Sequence, residues 1–186
     1  MKQAIALCFI ALPLFSAAEQ PSAWRAGGGV NFVFIEPTSA YSRSEEDWQK
    51  AIHASLDYSH NQHLMARFML YRFDATVNDD IRGWGSEVQL LAGFNLNGFG
   101  ARIYSGPVVF RESRKDKTAI HDQHRTFSGT GWSTGIGYQW QRWSFDLSAT
   151  LRDNSDYVDY YEEKNVSLED DEVWTTITNA TVSYQL

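Results

Sequence analysis

Residues 131–152, GWSTGIGYQWQRWSFDLSATLR, alternate between two kinds of side chain from one end to the other. Trp132, Thr134, Ile136, Tyr138 and Trp140 fall on one side, with Ser133, Gly135 and Gly137 between them. After Gln141-Arg142 the pattern resumes as Trp143, Phe145, Leu147, Ala149 and Leu151, separated by Ser144, Asp146 and Ser148. Successive side chains of a strand point to opposite faces, so a period of two means strands and not helix. A two-residue connection that sets Trp140 against Trp143 keeps both apolar sets on one face, as register requires. This segment is a β-hairpin with one greasy and one small or polar face.

Working outward, the same alternation predicts six more strands. They run Trp24–Ile35, Trp48–Ser59, Leu64–Phe73, Trp84–Leu96, Phe99–Val109 and Trp174–Leu186. Asn97-Gly98 is a favoured two-residue turn and predicts that Leu96 faces Phe99 on the apolar side. Around His60-Asn61-Gln62, Tyr58 is expected opposite Leu64. Pro107 lacks an N–H for the ladder, so it belongs near the frayed loop end of its strand. The remaining connections, Glu36–Asp47, Asp74–Gly83, Phe110–Gly131 and Asp153–Asp171, are long and polar. Short turns at one end and long loops at the other form the asymmetry of bacterial outer-membrane barrels.

Trp48, Trp84, Trp132 and Trp174 each open an even-numbered strand, while Trp140 and Trp143 flank a short turn. These form two aromatic girdles about one strand length apart, suited to the two membrane–water interfaces. A soluble ligand-carrying barrel would alternate equally well with its apolar face inward. Composition separates the two: Lys50 is the only lysine in a predicted strand, and the apolar face carries no charge until Arg72. The opposite face is rich in Gly27, Gly29, Gly85, Gly93, Gly100, Gly106 and serine, which suit the narrow interior of eight strands. The apolar residues are therefore placed outside, against lipid.

The first residues resemble a secretory signal: Lys2, an apolar run from Ala4 to Phe15, then Ser16-Ala17-Ala18 with small residues for cleavage after Ala18. The run is too short for a membrane span. Residues 1–18 are thus expected to be removed, leaving 19–186 as a single barrel domain. Cys8 is the only cysteine and lies within that run; Leu7 before it does not suit lipidation. The mature chain would hold no thiol, which excludes disulfides and thiolate chemistry. Removing Lys2 takes the formal charge from −7 to −8, so sequence-independent nucleic-acid binding is not expected.

Three stretches, GWGSEVQLLAGFNLNGFGARIYSGPVVF (83–110), the 131–152 hairpin and TVSYQL (181–186), resemble the OmpX/Ail family of small eight-stranded outer-membrane proteins. They are more loosely similar to the OmpA membrane domain. The alternation that runs to Leu186 resembles a carboxy-terminal insertion signal, with leucine where phenylalanine is usual. The resemblance implies a monomeric barrel without an open pore, whose loops contact host surfaces or envelope components.

Charges of both signs fall on the presumed interior face: Arg25, Asp57, Arg67, Glu87, Arg102, Asp146 and Arg152. Asp57 with Arg67, and Glu87 with Arg102, lie on neighbouring strands and are expected to pair, since buried charges are tolerated only when partnered. A salt-bridged plug is the simpler reading and a polar ion path the alternative. His53-x-Ser55-x-Asp57 shares one face and faintly resembles the His-x-Ser of outer-membrane lipid A deacylases. Residues two apart in a strand sit ~6.5 Å from each other, too far for a proton relay unaided, and the lipid side there belongs to Ile52, Ala54 and Leu56.

The loops are charge-segregated. Arg111, Arg114, Lys115, Lys117, His121, His124 and Arg125 make the third long loop basic, and Glu45-Glu46-Asp47, Asp79-Asp80, Glu162-Glu163 and 169–172 are acidic. The basic loop suits lipopolysaccharide phosphates or another anionic surface, and the acidic loops suit divalent cations. Two histidines alone are weak grounds for a metal site, and the sequons at Asn165 and Asn179 mean little in a bacterial envelope.

The expectation is an all-β, closed, eight-stranded antiparallel up-and-down transmembrane barrel in the outer membrane, without cofactor, metal or catalysis. Its partners are outer-membrane lipids, lipopolysaccharide and host or envelope surface molecules. The competing readings are a lipid A-modifying enzyme at His53 and Ser55, and a small-solute pore.

Overall fold

The computed structural model describes residues 22–37, 47–75, 81–116, 123–153 and 173–186. Alternating sequence yields eight strands: β1 (Trp24–Pro37), β2 (Asp47–Ser59), β3 (Leu64–Ala75), β4 (Ile81–Phe94), β5 (Gly100–Asp116), β6 (Gln123–Trp140), β7 (Trp143–Asp153) and β8 (Val173–Gln185). Each pairs antiparallel with the next, and β8 closes on β1 from Arg25↔Gln185 to Pro37↔Val173. The result is a closed up-and-down barrel of the transmembrane kind. The predicted signal segment lies outside the described residues.

Burial follows parity. Ile52, Leu56, Phe68, Leu70, Val88, Leu90, Val109, Ile136, Phe145 and Leu147 point outward and exposed, while their chain neighbours are buried in the lumen. An apolar belt on this scale has no reason to exist in water and is what hydrocarbon requires.

Pairing places several residues differently from the sequence reading. The β2–β3 connection spans four residues, so Tyr58 faces Ala66 instead of Leu64. Parity survives, because the shift is two residues. Leu96 does not share the outer face with Phe99: β4 ends at Phe94, and Leu96 is 0% exposed inside the barrel mouth. Asn95 takes φ 60° there, and its side chain donates to the carbonyls of Phe99 and Ala101, so the turn is wider than Asn97-Gly98. The Leu96 amide binds the Gln62 carbonyl at 2.9 Å, which ties this turn across the mouth to the β2–β3 turn. The Gln141-Arg142 turn matches its prediction, with Trp140↔Trp143 paired and Gln141 at φ 51°.

Pro107 lies in mid-strand, not at a frayed end. Pairing between β4 and β5 skips Pro107 and the adjacent Gly106 and resumes in the same register at Ala92↔Ser105. The third long loop is also shorter than expected, because β5 and β6 stay paired to Asp116↔Gln123. Trp132 consequently sits nine residues into β6, and Trp84 three residues into β4. Trp48 and Trp174 remain at the second positions of β2 and β8.

The lumen is packed by a repeated device. Tyr71↔Gly85, Phe73↔Gly83, Tyr104↔Gly135 and Phe110↔Gly129 are cross-strand pairs in which an inward ring folds over a glycine. A Cβ on Gly135 would lie 2.6 Å from the Tyr104 ring. Eight strands leave an interior only just wide enough for side chains to fill, and the glycine opposite makes room for the ring. Gly135→Val should therefore lower stability by about 1–3 kcal/mol through overpacking. Removing the ring as well, in Gly135→Val/Tyr104→Ala, should recover part of that. Urea midpoints of the folded form in detergent check both.

Candidate functional site

Each predicted interior charge is buried in the lumen, and they fall into two clusters. The lower cluster lies near the turn mouth. Arg67 from β3 makes a two-pronged bond to Asp57 from β2, at 2.8 and 2.9 Å, and donates to the Tyr104 hydroxyl at 3.0 Å. Arg102 from β5 holds Asp146 from β7 in the same two-pronged way and adds Ser144 at 3.1 Å. Arg67 also stands 3.8 Å from Asp146, so the two pairs form one network. Arg25 adds to it at 3.9 Å from Asp57 while donating to the Leu96 carbonyl (2.9 Å) and Ser59 (2.7 Å). Planar guanidinium forks match carboxylates in geometry, which makes such pairs stable where water is scarce. The bond to Leu96 fastens the mouth turn to the ion network.

The upper cluster departs from expectation. Glu87 does not pair with Arg102. The register sets Glu87 beside Phe110 and Phe94 beside Ile103, so Arg102 sits a strand length lower, near the turn. Glu87 instead binds Arg152 from β7 across the lumen, and Gln89 donates to it. Arg152 also reaches Glu112 at 3.2 Å, and Glu112 accepts from the Tyr71 hydroxyl (2.9 Å) and Arg114 (2.8 Å). Arg152 lies over the Phe110 ring at 4.2 Å and Arg114 over Phe73 at 4.8 Å, so cation–π contacts supplement the charge pairs. Glu112, Tyr71 and Tyr104 are network members that the sequence reading did not assign. Continuing the parity of Arg102 past Phe110 points to Glu112.

His53, Ser55 and Asp57 share the lumen face but do not form a relay. His53 is held between Asn31 and Thr181, the latter at 3.0 Å. Asp57 is committed to Arg67, and Ser55 Oγ has no hydrogen-bond partner among the described residues. All three are buried, remote from any lipid substrate on the outer wall. The arrangement does not favour the enzyme reading. Asn179 likewise points into the lumen, donating to Ser148 at 3.3 Å.

The basic loop is largely strand. Arg111, Arg114 and Lys115 belong to β5 and Arg125 to β6, while Lys117 and His121 lie outside the described residues. The cause is that pairing of β4, β5 and β6 continues past Phe110. Parity then divides the cations: Arg114 turns inward onto Glu112, whereas Arg111 lies on the exposed outer face. The acidic runs at 45–46, 79–80, 162–163 and 169–172 lie outside the described residues. Among the described residues no three acidic or histidine side chains are grouped to hold a metal ion.

At the turn end the aromatics pack in pairs on the outer wall. Trp24 packs on Tyr58 (ring centroids 4.7 Å apart) and Trp143 on Tyr184 (5.1 Å), with Trp140 exposed beside them. Towards the loop end, Trp84 and Trp132 are exposed, and Trp132 donates to Ser105 at 2.7 Å. The side chains of Trp48 and Trp174 fall outside the described part of their strands.

No protein-family model matches the sequence, and no curated protein matches it. Solved structures do match in fold. Neisserial surface protein A superposes with a TM-score of 0.65 at 13% identity, over 90% of this chain and 100% of that one. The N-terminal β-barrel domain of Pseudomonas aeruginosa OprF gives 0.54 at 10% identity, over 89% and 100%. Ail, the attachment invasion locus protein of Yersinia pestis, in complex with the heparin analogue sucrose octasulfate, gives 0.53 at 12% identity, over 88% and 97%. At these identities the likeness is one of fold: small eight-stranded outer-membrane barrels.

Proposed function

We propose that this chain is an outer-membrane protein whose lumen is a structural core and whose work is done at its loop end, as a surface-interaction or envelope-stabilising protein. The observation that carries the reading is the filling of the lumen. Two ion-paired clusters, four ring-over-glycine pairs and Leu96 occupy it, so among the described residues the lumen is built as a packed core rather than as a substrate site or a wide solute path. Chemistry available to a partner then resides in the outer rim and the long connections. The heparin analogue held by Ail is consistent with an anionic saccharide as one kind of partner for such a barrel. Export through the periplasm, cleavage after Ala18 and a monomeric state belong to the same proposal.

Three measurements test it together. In planar bilayers the purified barrel should give no discrete conductance steps. Cells with and without the gene should show the same lipid A acyl pattern, including after His53→Ala. Cells displaying the protein should gain either adhesion to surfaces coated with anionic glycans or resistance to detergent. Stepwise conductance would instead establish a pore, a changed acyl pattern an enzyme, and no gain in the third measurement would remove the loop-end role.

A further inference from the structure

The outer wall of β3, β4 and β5 changes character within three cross-strand rows. The row Phe68–Val88–Val109 is wholly apolar. The next row towards the loop end is Leu70–Ser86–Arg111, and the one above it Arg72–Trp84–Ser113, followed by Lys115 on β5. Trp84 is 61% exposed and stands directly beside Arg72. Arg111 and Lys115 occupy the two diagonal positions on β5, each about 8 Å from it. Arg72 and Arg111 are exposed and Lys115 half-buried on this same face. Asp74 and Arg82 sit in the backbone register of the Lys115 row, so that row brings one acidic position and a further basic one next to the patch.

Three cations around one indole, directly above hydrocarbon-facing Leu70, Val88 and Val109, make an amphipathic surface of fixed orientation. We propose that this wall is a binding site for a phosphorylated membrane glycolipid, with phosphates on Arg72, Arg111 and Lys115, the sugar against Trp84 and the acyl chains over the rows below. A cation near a charged membrane surface attracts it individually, and guanidinium forks match phosphate oxygens. An indole at the interface suits a sugar ring, apolar on one face and hydrogen-bonding at its edge. Continuity with the apolar belt favours a lipid over a free anion, because a free anion would draw nothing from those rows. The site rests on the outer-membrane reading above and narrows its partner to one chemical class.

The experiment uses the full mature chain, refolded in detergent micelles and verified folded by its mobility on unheated gels. Retention of diphosphoryl lipid A is read by native mass spectrometry against the dephosphorylated form and against excess inorganic phosphate. Wild type should retain the diphosphoryl lipid, release the dephosphorylated one and be unaffected by inorganic phosphate. Arg72→Gln/Arg111→Gln/Lys115→Gln should weaken retention about a hundred-fold, or about five-fold for each cation removed singly. Arg142→Gln, at the opposite mouth, should leave it unchanged. Equal retention of both lipids, displacement by inorganic phosphate, or a triple variant that matches wild type overturns the site while leaving the barrel intact. Should the triple variant not fold, the Arg111→Gln exchange decides in the same way. A chain that stays soluble without detergent overturns this site and the membrane reading together.

Discussion

Replacing Arg67 with methionine is expected to destabilise the barrel by about 3–5 kcal/mol, the usual cost of stranding a buried charge. Arg67 is 1% exposed and is the close partner of Asp57; the other cation near that carboxylate, Arg25, stands 3.9 Å away and is already bonded to Leu96 and Ser59. Methionine keeps the volume, so little cavity forms, and the loss measures the orphaned carboxylate together with the Tyr104 hydrogen bond. Replacing both partners, as Asp57→Leu/Arg67→Met, removes the desolvated charge altogether and should recover most of the loss. The fraction folded against urea, scored on unheated gels in detergent, reads both variants. Equal losses in single and double variants would show that packing around Arg67, rather than its charge, holds this level of the lumen together.

The same network marks how much of the molecule was legible from sequence. Alternation tells which side of the wall a residue occupies, because lipid and lumen demand opposite chemistry at successive positions. Asp57, Arg67 and Asp146 were therefore placed on the correct face from the chain alone, as was the Trp140–Trp143 turn. Alternation does not tell how high along the barrel axis a residue stands. Height depends on strand tilt and stagger, which closure of the whole sheet sets. Glu87 and Arg102 share a face and neighbouring strands, yet the β4–β5 register separates them and gives each a different partner from β7. Leu96 departs from the alternation for a local reason, since Asn95 in the left-handed region widens the turn and the next side chain lies inward. The basic segment is largely strand because polar residues do not end β5 or delay β6. Beyond the membrane, strands can stay paired while their outer face turns from apolar to cationic, as Val109 and Arg111 show.

Which face meets hydrocarbon can be tested at one position. Leu147 lies at the middle of β7, 57% exposed, with Ile136 and Ala180 as its cross-strand neighbours on the outer wall. In water an arginine at such an exposed site would cost a fraction of a kcal/mol, as surface substitutions generally do. In a bilayer it must be carried to the depth of the midplane, and Leu147→Arg should lower stability by roughly 2–4 kcal/mol. The penalty should shrink towards the rim, so Val109→Arg, one step below the native Arg111, should cost about 0–1 kcal/mol. Urea titrations in phospholipid vesicles give the two values, and repeating them in short-chain micelles should shrink the difference, since a thin apolar phase has no deep midplane. A depth-independent penalty, or none at Leu147, is incompatible with a wall whose apolar side faces lipid.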